Sequence, residues 1–236
     1  MGLKLNDIVP WGRSLDEYIA MFQLSEQDLA RSIIDCAAGP ASFNAEMTTQ
    51  ERSVISCDPL YQFSESAIQQ RIAETKDVIL AGVQANRDAY RWDFFHSPEH
   101  LCHARLATMA QFLADFPTGR QTGRYQVAAL PALPYRDRQF DLALCGHFLF
   151  AYSDHLSFDL HWEAIQELCR IAREVRIFPV VTLSGERSPF LKPILDNLKT
   201  RGKHTITLET VGYEFQKGGN QLLKIQCSSR AQNQIF

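Results

Sequence analysis

The run Ile33-Ile34-Asp35-Cys36-Ala37-Ala38-Gly39-Pro40-Ala41-Ser42-Phe43 decides how the rest of the chain is read. Two β-branched apolar residues and an acid read as the end of a short strand, Ser32 to Cys36. Small side chains follow, and then a helix start, read over Ala41 to Thr48. In an open parallel sheet this is the usual place for a ligand, at the carboxyl end of a strand. The small residues let a ligand approach the backbone. Pro40 suits a first helical turn, where its missing N–H costs little. The helix N-terminus offers free N–H groups and a partial positive charge to an anion. With one glycine, the loop has neither G-x-G-x-x-G nor G-x-x-x-x-G-K-[ST], so a pyrophosphate is not the expected ligand. A carboxylate-sized anion makes lighter demands. Alanine at 37 and 41 is expected to keep those positions away from φ > 0.

Working outward, Ser53 to Cys57 reads as a second strand ending at Asp58. An acid there can accept both hydroxyl protons of a ribose diol. Ser14 with Glu17 three residues on forms a capping box for a helix over 14–22, and a second short helix fits 25–31. From Ser64 to about Phe116 the apolar spacing is helical, broken at Pro98 after a Ser97 cap. Roughly 78–120 is read as a helical insertion, because a crossover needs only one helix. Strands resume at Tyr125 to Ala129. Phe140 to Gly146 is nearly all apolar, as a central strand covered on both faces requires. A helix over 154–173, a strand over 174–181 near Pro179, a helix over 189–201 stopped by Gly202, and strands 205–210 and 221–227 complete the pass. Strand and helix alternate until the last two strands, so the sheet is parallel and doubly wound with one antiparallel strand at an edge. The tail after 227 reads as frayed.

The 236 residues suit one α/β domain, 1–236, with a helical N-terminal lid over 1–31. Apolar residues make up 45% and the net charge is −3. That balance leaves no broad basic field for nucleic acid. Arg170, Arg173 and Arg176 read as the edge of a solvated face. No apolar run reaches the roughly 20 residues that span a bilayer, and the start MGLKLNDIVPWGR lacks signal-peptide character. Six scattered cysteines read as reduced core residues, which fits a cytoplasmic protein. His96, His100 and His103 have helical spacing, but Pro98 interrupts any helix holding all three, so no metal site is expected.

D-C-A-A-G-P-A-S-F, I-S-C-D-P-L-Y and L-P-Y-R-D-R-Q-F-D-L-A-L-C-G-H together resemble the class I S-adenosylmethionine-dependent methyltransferases over about residues 30–228. R-E-V-R-I-F-P and Y-E-F-Q-K-G-G-N-Q resemble a poorly characterised bacterial branch. The resemblance implies an α/β, doubly wound, Rossmann-like seven-stranded sheet ordered 3-2-1-4-5-7-6 with its last strand antiparallel. It implies S-adenosylmethionine as cofactor. Asp35, Ala37, Gly39 and Pro40 match the loop that holds the methionine part, and Asp58, followed by Pro59 and Leu60, matches the ribose acid. Ala129 and Leu130 fall where the family contacts adenine, with alanine where an acid usually stands. Cys145 and Gly146 border the methyl group, and Phe148 the substrate.

His147, on the loop after the fourth strand, is the candidate base or substrate-orienting group; the alternative is a structural histidine bonded to backbone. Tyr61 and Tyr152 are candidate substrate walls, or core aromatics with satisfied hydroxyls. Arg13 and Tyr18 lie where an N-terminal segment folds over the cofactor, within reach of its carboxylate. Gly218-Gly219-Asn220 caps a pocket or simply turns the hairpin. The expected activity is methyl transfer to a small molecule, with no nucleic-acid or membrane partner. A cofactor-binding protein without methyl transfer is the alternative, and an NAD-dependent oxidoreductase is disfavoured by the missing glycines.

Overall fold

The computed structural model describes residues 11–228, so the readings on the start and the frayed tail lie outside the described residues. Helix α1 (Leu15–Phe22) starts at Ser14 with the full capping box to Glu17, and α2 (Glu26–Leu29) repeats the device with Ser25 and Asp28. Strand β1 (Ile33–Cys36) and the near-fully buried β2 (Val54–Cys57) flank α3 (Phe43–Thr49). Then come α4 (Glu65–Ala85), α5 (Pro98–Gln121), β3 (Tyr125–Gln126), β4 (Phe140–Gly146), α6 (Phe158–Ile171), β5 (Ala172–Phe178), α7 (Leu191–Thr200), β6 (His204–Thr210) and β7 (Gln221–Cys227).

The sheet order is β3-β2-β1-β4-β5-β7-β6, the Rossmann-like order expected. Ile33 pairs with Val54 on one side and Leu142 on the other, both parallel. Strand β7 runs antiparallel to both β5 and β6. The reversed strand is therefore second from the edge, and the edge strand β6 is parallel to the rest. This corrects the edge placement read from strand order: β7 turns back into the gap beside β5, where its residues Leu222, Leu223 and Ile225 are buried on both faces.

Alternation along the strands splits the core. Ile34, Cys36, Ala143 and Cys145 face α6 and α7. Ile33, Leu142 and Leu144 face α1 and α3. Asp35 falls on the second face, under Tyr18 of α1. Strand β5 ends at Phe178 rather than running to 181, because Pro179 has no N–H for the ladder. Arg176 does not flank a solvated face. It is buried, paired with Glu174 and Asp28, and its guanidinium donates to the Phe22 carbonyl at 2.8 Å, closing the end of α1.

The connection from β2 to β3 is a helical hairpin. Pro98 is the first residue of α5, with Ser97 capping it as expected. The insertion boundary at about 78 falls inside the continuous helix α4. Arg105 of α5, 1% exposed, forms a buried pair with Glu17 of α1 and also donates to the Gly12 carbonyl. Tyr213, just after β6, donates to the same Glu17 at 2.8 Å. One carboxylate thus ties the N-terminal segment, the insertion and the β6–β7 loop together.

Candidate active site

A cavity of about 470 Å³ opens at the carboxyl ends of β1, β2 and β4. Its floor is the loop after β1. Asp58 holds this loop: one carboxylate oxygen accepts the Gly39 N–H at 2.9 Å and the other the Leu60 N–H at 2.7 Å. Burial pushes the Asp58 carboxyl up, and these two backbone bonds pull it back. Each oxygen keeps a lone pair for a ligand diol. Gly39 sits at φ +56°, and a Cβ built on it meets nothing within 4 Å, so this point of the loop faces open cavity.

Ala37 also adopts a left-handed conformation, φ 55°, against the expectation for alanine. The loop around it overrides the preference. Ala38 N–H donates to Cys57 C=O at 3.3 Å, and the Tyr61 hydroxyl donates to Gly39 C=O at 2.8 Å. Strain of this kind persists only where neighbours over-determine the backbone. Tyr61 is therefore a prop beneath the loop, fully buried and outside the cavity lining, rather than a substrate wall.

The approach to the N-terminus of α3 is crossed by an upstream segment. Ser42 is the cap residue, Pro40 lies before the helix, and the Ser42 N–H donates to the Arg13 carbonyl at 3.1 Å. The segment Trp11-Gly12-Arg13 crosses the loop as a strap. It passes so close that a Cβ on Gly12 would lie 2.2 Å from the Pro40 carbonyl oxygen.

The strap supplies its own cation. Arg13 lines the cavity, its guanidinium reaches the Trp11 carbonyl at 3.3 Å, and its buried Nε has no partner. No carboxylate pairs with it among the described residues. Burial, and then the neighbouring Arg105 charge, pull its pKa below the usual guanidinium range. A partly buried cation with no carboxylate beside it favours an anion that meets it.

Tyr18 lines the cavity and donates its hydroxyl to Asp35 at 2.8 Å. Asp35 itself lies behind the wall, 1% exposed, with its second oxygen unpartnered. Burial pushes its carboxyl up to about 8. Cys145 is likewise behind the wall, its thiol pushed up to about 12 by burial. Gly146, His147, Phe148 and Tyr152 reach the cavity from the β4 end, as do Pro59 and Leu60 from the β2 end and Ala129 and Leu130 from the segment after β3.

His147 also stands at positive φ, 51°, with its N–H donating to the Phe178 carbonyl. Its ring meets Phe178 edge-on, and its Nδ1 is buried without a partner. Burial first, then Arg13 and Arg105, hold its pKa well below the ordinary histidine value. The imidazole is neutral at pH 7 and a weak base.

The sequence points to the insertion as a covering element but names none of the side chains in the far half of the cavity. Ile79 and Val83 of α4, Tyr90, Leu101 of α5, and Phe215 line it. The β6–β7 loop, with Gly218 at φ +81° in its turn, contributes both a turn and a wall. Residue 90 bridges to 216, and the Arg91 N–H donates to the Phe215 carbonyl at 2.7 Å. Phe63, half exposed, stands at the rim near Leu60. His96 precedes α5 and its N–H meets the His100 ring nitrogen at 3.2 Å; no metal-binding group forms among the described residues. No described helix is long and apolar enough to cross a membrane.

Comparison with known proteins adds a relative and several structures. No protein-family model matches the chain. The uncharacterized protein MJ0045 of Methanocaldococcus jannaschii is 36% identical over 227 residues, covering 95% of this chain and 98% of the relative. That relative is archaeal, so the bacterial placing gains no support from it. Among solved structures, magnesium protoporphyrin IX methyltransferase (ChlM) from Synechocystis PCC 6803 with bound SAM is similar at a TM-score of 0.47 and 12% identity, covering 91% of this chain and 78% of that one. A SAM-dependent methyltransferase from Methanosarcina mazei gives 0.44 and 13%, with 85% and 93% covered. The fold assignment rests on this chain's own strand order rather than on these likenesses.

Proposed function

We propose that this chain, which belongs to the family of the uncharacterized protein MJ0045 of Methanocaldococcus jannaschii, is a methyltransferase that binds S-adenosylmethionine and acts on a small molecule. The observation that carries this is the pairing of two opposite charges in one cavity: Asp58 at the loop, and the unpaired Arg13 in the strap. The cofactor has a ribose diol for the first and a carboxylate for the second. Gly39 leaves open space beside the loop, and Leu60, Ala129 and Leu130 offer apolar walls for adenine, with the half-exposed Phe63 ring at the rim. Tyr18, fixed by Asp35, supports the methionine end.

Bound there, the cofactor supplies an activated methyl group: the acceptor lone pair bonds to the methyl carbon, and the electrons of the broken C–S bond return to sulfur. The protein orients the two and excludes water. The strap, the α4–α5 hairpin and the β6–β7 loop, latched through Glu17 and Arg105, cover the site. Six free cysteines fit a reducing, cytoplasmic setting.

A binding protein without methyl transfer is the second reading, favoured by the weak basicity of His147. Calorimetric titration with S-adenosylmethionine, S-adenosylhomocysteine and NAD separates the possibilities. The first two bind and NAD does not; the opposite result refutes the proposal. Asp58→Ala and Gly39→Arg each abolish measurable binding, and survival of binding in both refutes the site.

A further inference from the structure

The far half of the cavity identifies the kind of molecule that is methylated, an inference that rests on the cofactor reading above. Ile79, Val83, Leu101 and Phe215 make its walls apolar. The cavity lining among the described residues holds two charged side chains, Arg13 and Asp58. Asp58 is at the loop end, with both oxygens already receiving backbone N–H groups. No acid among the described residues faces the far half, so an ammonium acceptor would lose its hydration without gaining a counter-ion.

The opposite charge is accommodated. With its carboxylate on Arg13, S-adenosylmethionine still carries an ammonium and a sulfonium. An anionic acceptor supplies the missing negative charge inside an apolar enclosure, where such attraction is strong. Nor is there a good base for a neutral hydroxyl or a protonated amine. The charged groups acting on His147 are Arg13 from the strap and Arg105 from α5; from β5 it meets Phe178, through the ring and the backbone carbonyl.

We propose that the acceptor is an apolar small molecule whose nucleophile arrives ionised, a thiolate or carboxylate on a hydrophobic body, seated between Ile79, Val83, Leu101 and Phe215, and that His147 shapes this seat without taking a proton from it. An ionised acceptor has no proton to lose on methylation, which is why the site manages without a strong base.

The test is acceptor binding to the native chain saturated with S-adenosylhomocysteine, by calorimetry. The probes are 2-naphthoate, naphthalene-2-thiolate, 2-naphthylmethanol and 2-naphthylmethylammonium, which share one apolar body. At least one anion is expected to bind about 10-fold or more tighter than the alcohol and the ammonium. Its affinity falls as pH drops below the probe's own pKa. Methylation of the thiolate or of the carboxylate then tells the two sources of charge apart. His147→Asn keeps a residue that tolerates positive φ; it weakens anion affinity by up to about 10-fold, as loss of a seat wall does, and leaves the pH profile of methylation set by the probe's own pKa. Loss of a general base costs about 10²–10⁴-fold. The variant's affinity for S-adenosylhomocysteine checks its fold, and the four-probe comparison on the native chain stands without it. Equal or tighter binding of the alcohol or ammonium, binding of none of the four, or a 10²-fold loss of methylation in a folded His147→Asn overturns the proposal. Failure to bind S-adenosylhomocysteine refutes the cofactor reading instead.

Discussion

Asp35 gives the structure a pH dependence that a single substitution removes. Its carboxyl is raised from 3.8 to about 8 because burial outweighs the Tyr18 hydrogen bond. Between those values the unfolded chain has released this proton and the folded chain keeps it. Unfolding is then favoured as pH rises, so stability is greatest below about pH 4 for this group and declines through pH 8. The slope is about 1.4 kcal/mol per pH unit, or up to about 6 kcal/mol over the window. That is comparable to the whole stability of a small domain. Over the accessible range from about pH 5.0 to 7.5 the loss is about 3 kcal/mol. An asparagine side chain at this position accepts the Tyr18 hydroxyl as the protonated Asp35 does, and it has no proton to lose. Asp35→Asn is therefore expected to match the native chain below about pH 4, and to exceed it by about 2 kcal/mol at pH 5 and about 5 kcal/mol at pH 7.5 in urea unfolding, a gap that widens by about 3 kcal/mol between the two. The depressed His147 acts the other way: its folded state is neutral, so stability rises as pH climbs towards the ordinary histidine pKa. Both proteins share that contribution and it cancels in the difference. Parallel pH profiles, with the gap changing by less than about 1 kcal/mol, would refute a protonated Asp35.

Ala37→Gly relieves a left-handed alanine and is expected to stabilise the chain by about 0.5–1 kcal/mol, less than the full strain because the unfolded state gains freedom; a lower urea midpoint contradicts the strain reading. Arg105→Met leaves Glu17 buried and unpaired, at a cost of about 3–5 kcal/mol. The double variant with Glu17→Gln recovers most of that loss in the same assay. Phe63→Ala removes a rim ring that is 50% exposed. It weakens S-adenosylmethionine binding by about 1 kcal/mol, roughly 5-fold, while leaving the urea midpoint unchanged, because stacking of a base on an aromatic ring is worth about 1–3 kcal/mol.

The parts of the fold legible in the chain are those in which neighbours in sequence are also neighbours in space. The capping box at Ser14 and Glu17, the Ser97 cap before Pro98 and the buried run of β4 each carry their own signal within a few residues. The loop after β1 was legible for the same reason, since strand, turn and helix are contiguous. Two of its details were not. Ala37 violates its own preference because Tyr61 and Asp58 grip Gly39 from a different strand end. The cap of α3 is bonded to a strap that crosses it from upstream. Neither grip has a local trace, although Gly12, wedged against Pro40, marks a close backbone approach once the strap is considered.

The acceptor half of the cavity was illegible for a stronger reason. Its walls come from α4, α5, the loop around Tyr90 and the β6–β7 loop, and no one segment presents a pattern that points inward. What joins them is backbone pairing between residues 90 and 216 and the Glu17–Arg105–Tyr213 cluster. The sequence does hold one hint. Tyr90, Trp92, Phe94 and Phe95 fall in a stretch with no strand or helix period, and aromatic residues without a local element must find their partners elsewhere. Tyr90 and Trp92 find Phe215, and Phe94 finds Tyr213. The same distant pairing that hides the site from sequence makes it depend on the latch. A variant that breaks Glu17–Arg105 without unfolding the sheet should weaken acceptor binding most and cofactor binding in part, because Asp58 and Gly39 sit at the strand ends, Phe215 and Leu101 belong to the lid, and Arg13 rides on the strap that Arg105 also holds through Gly12.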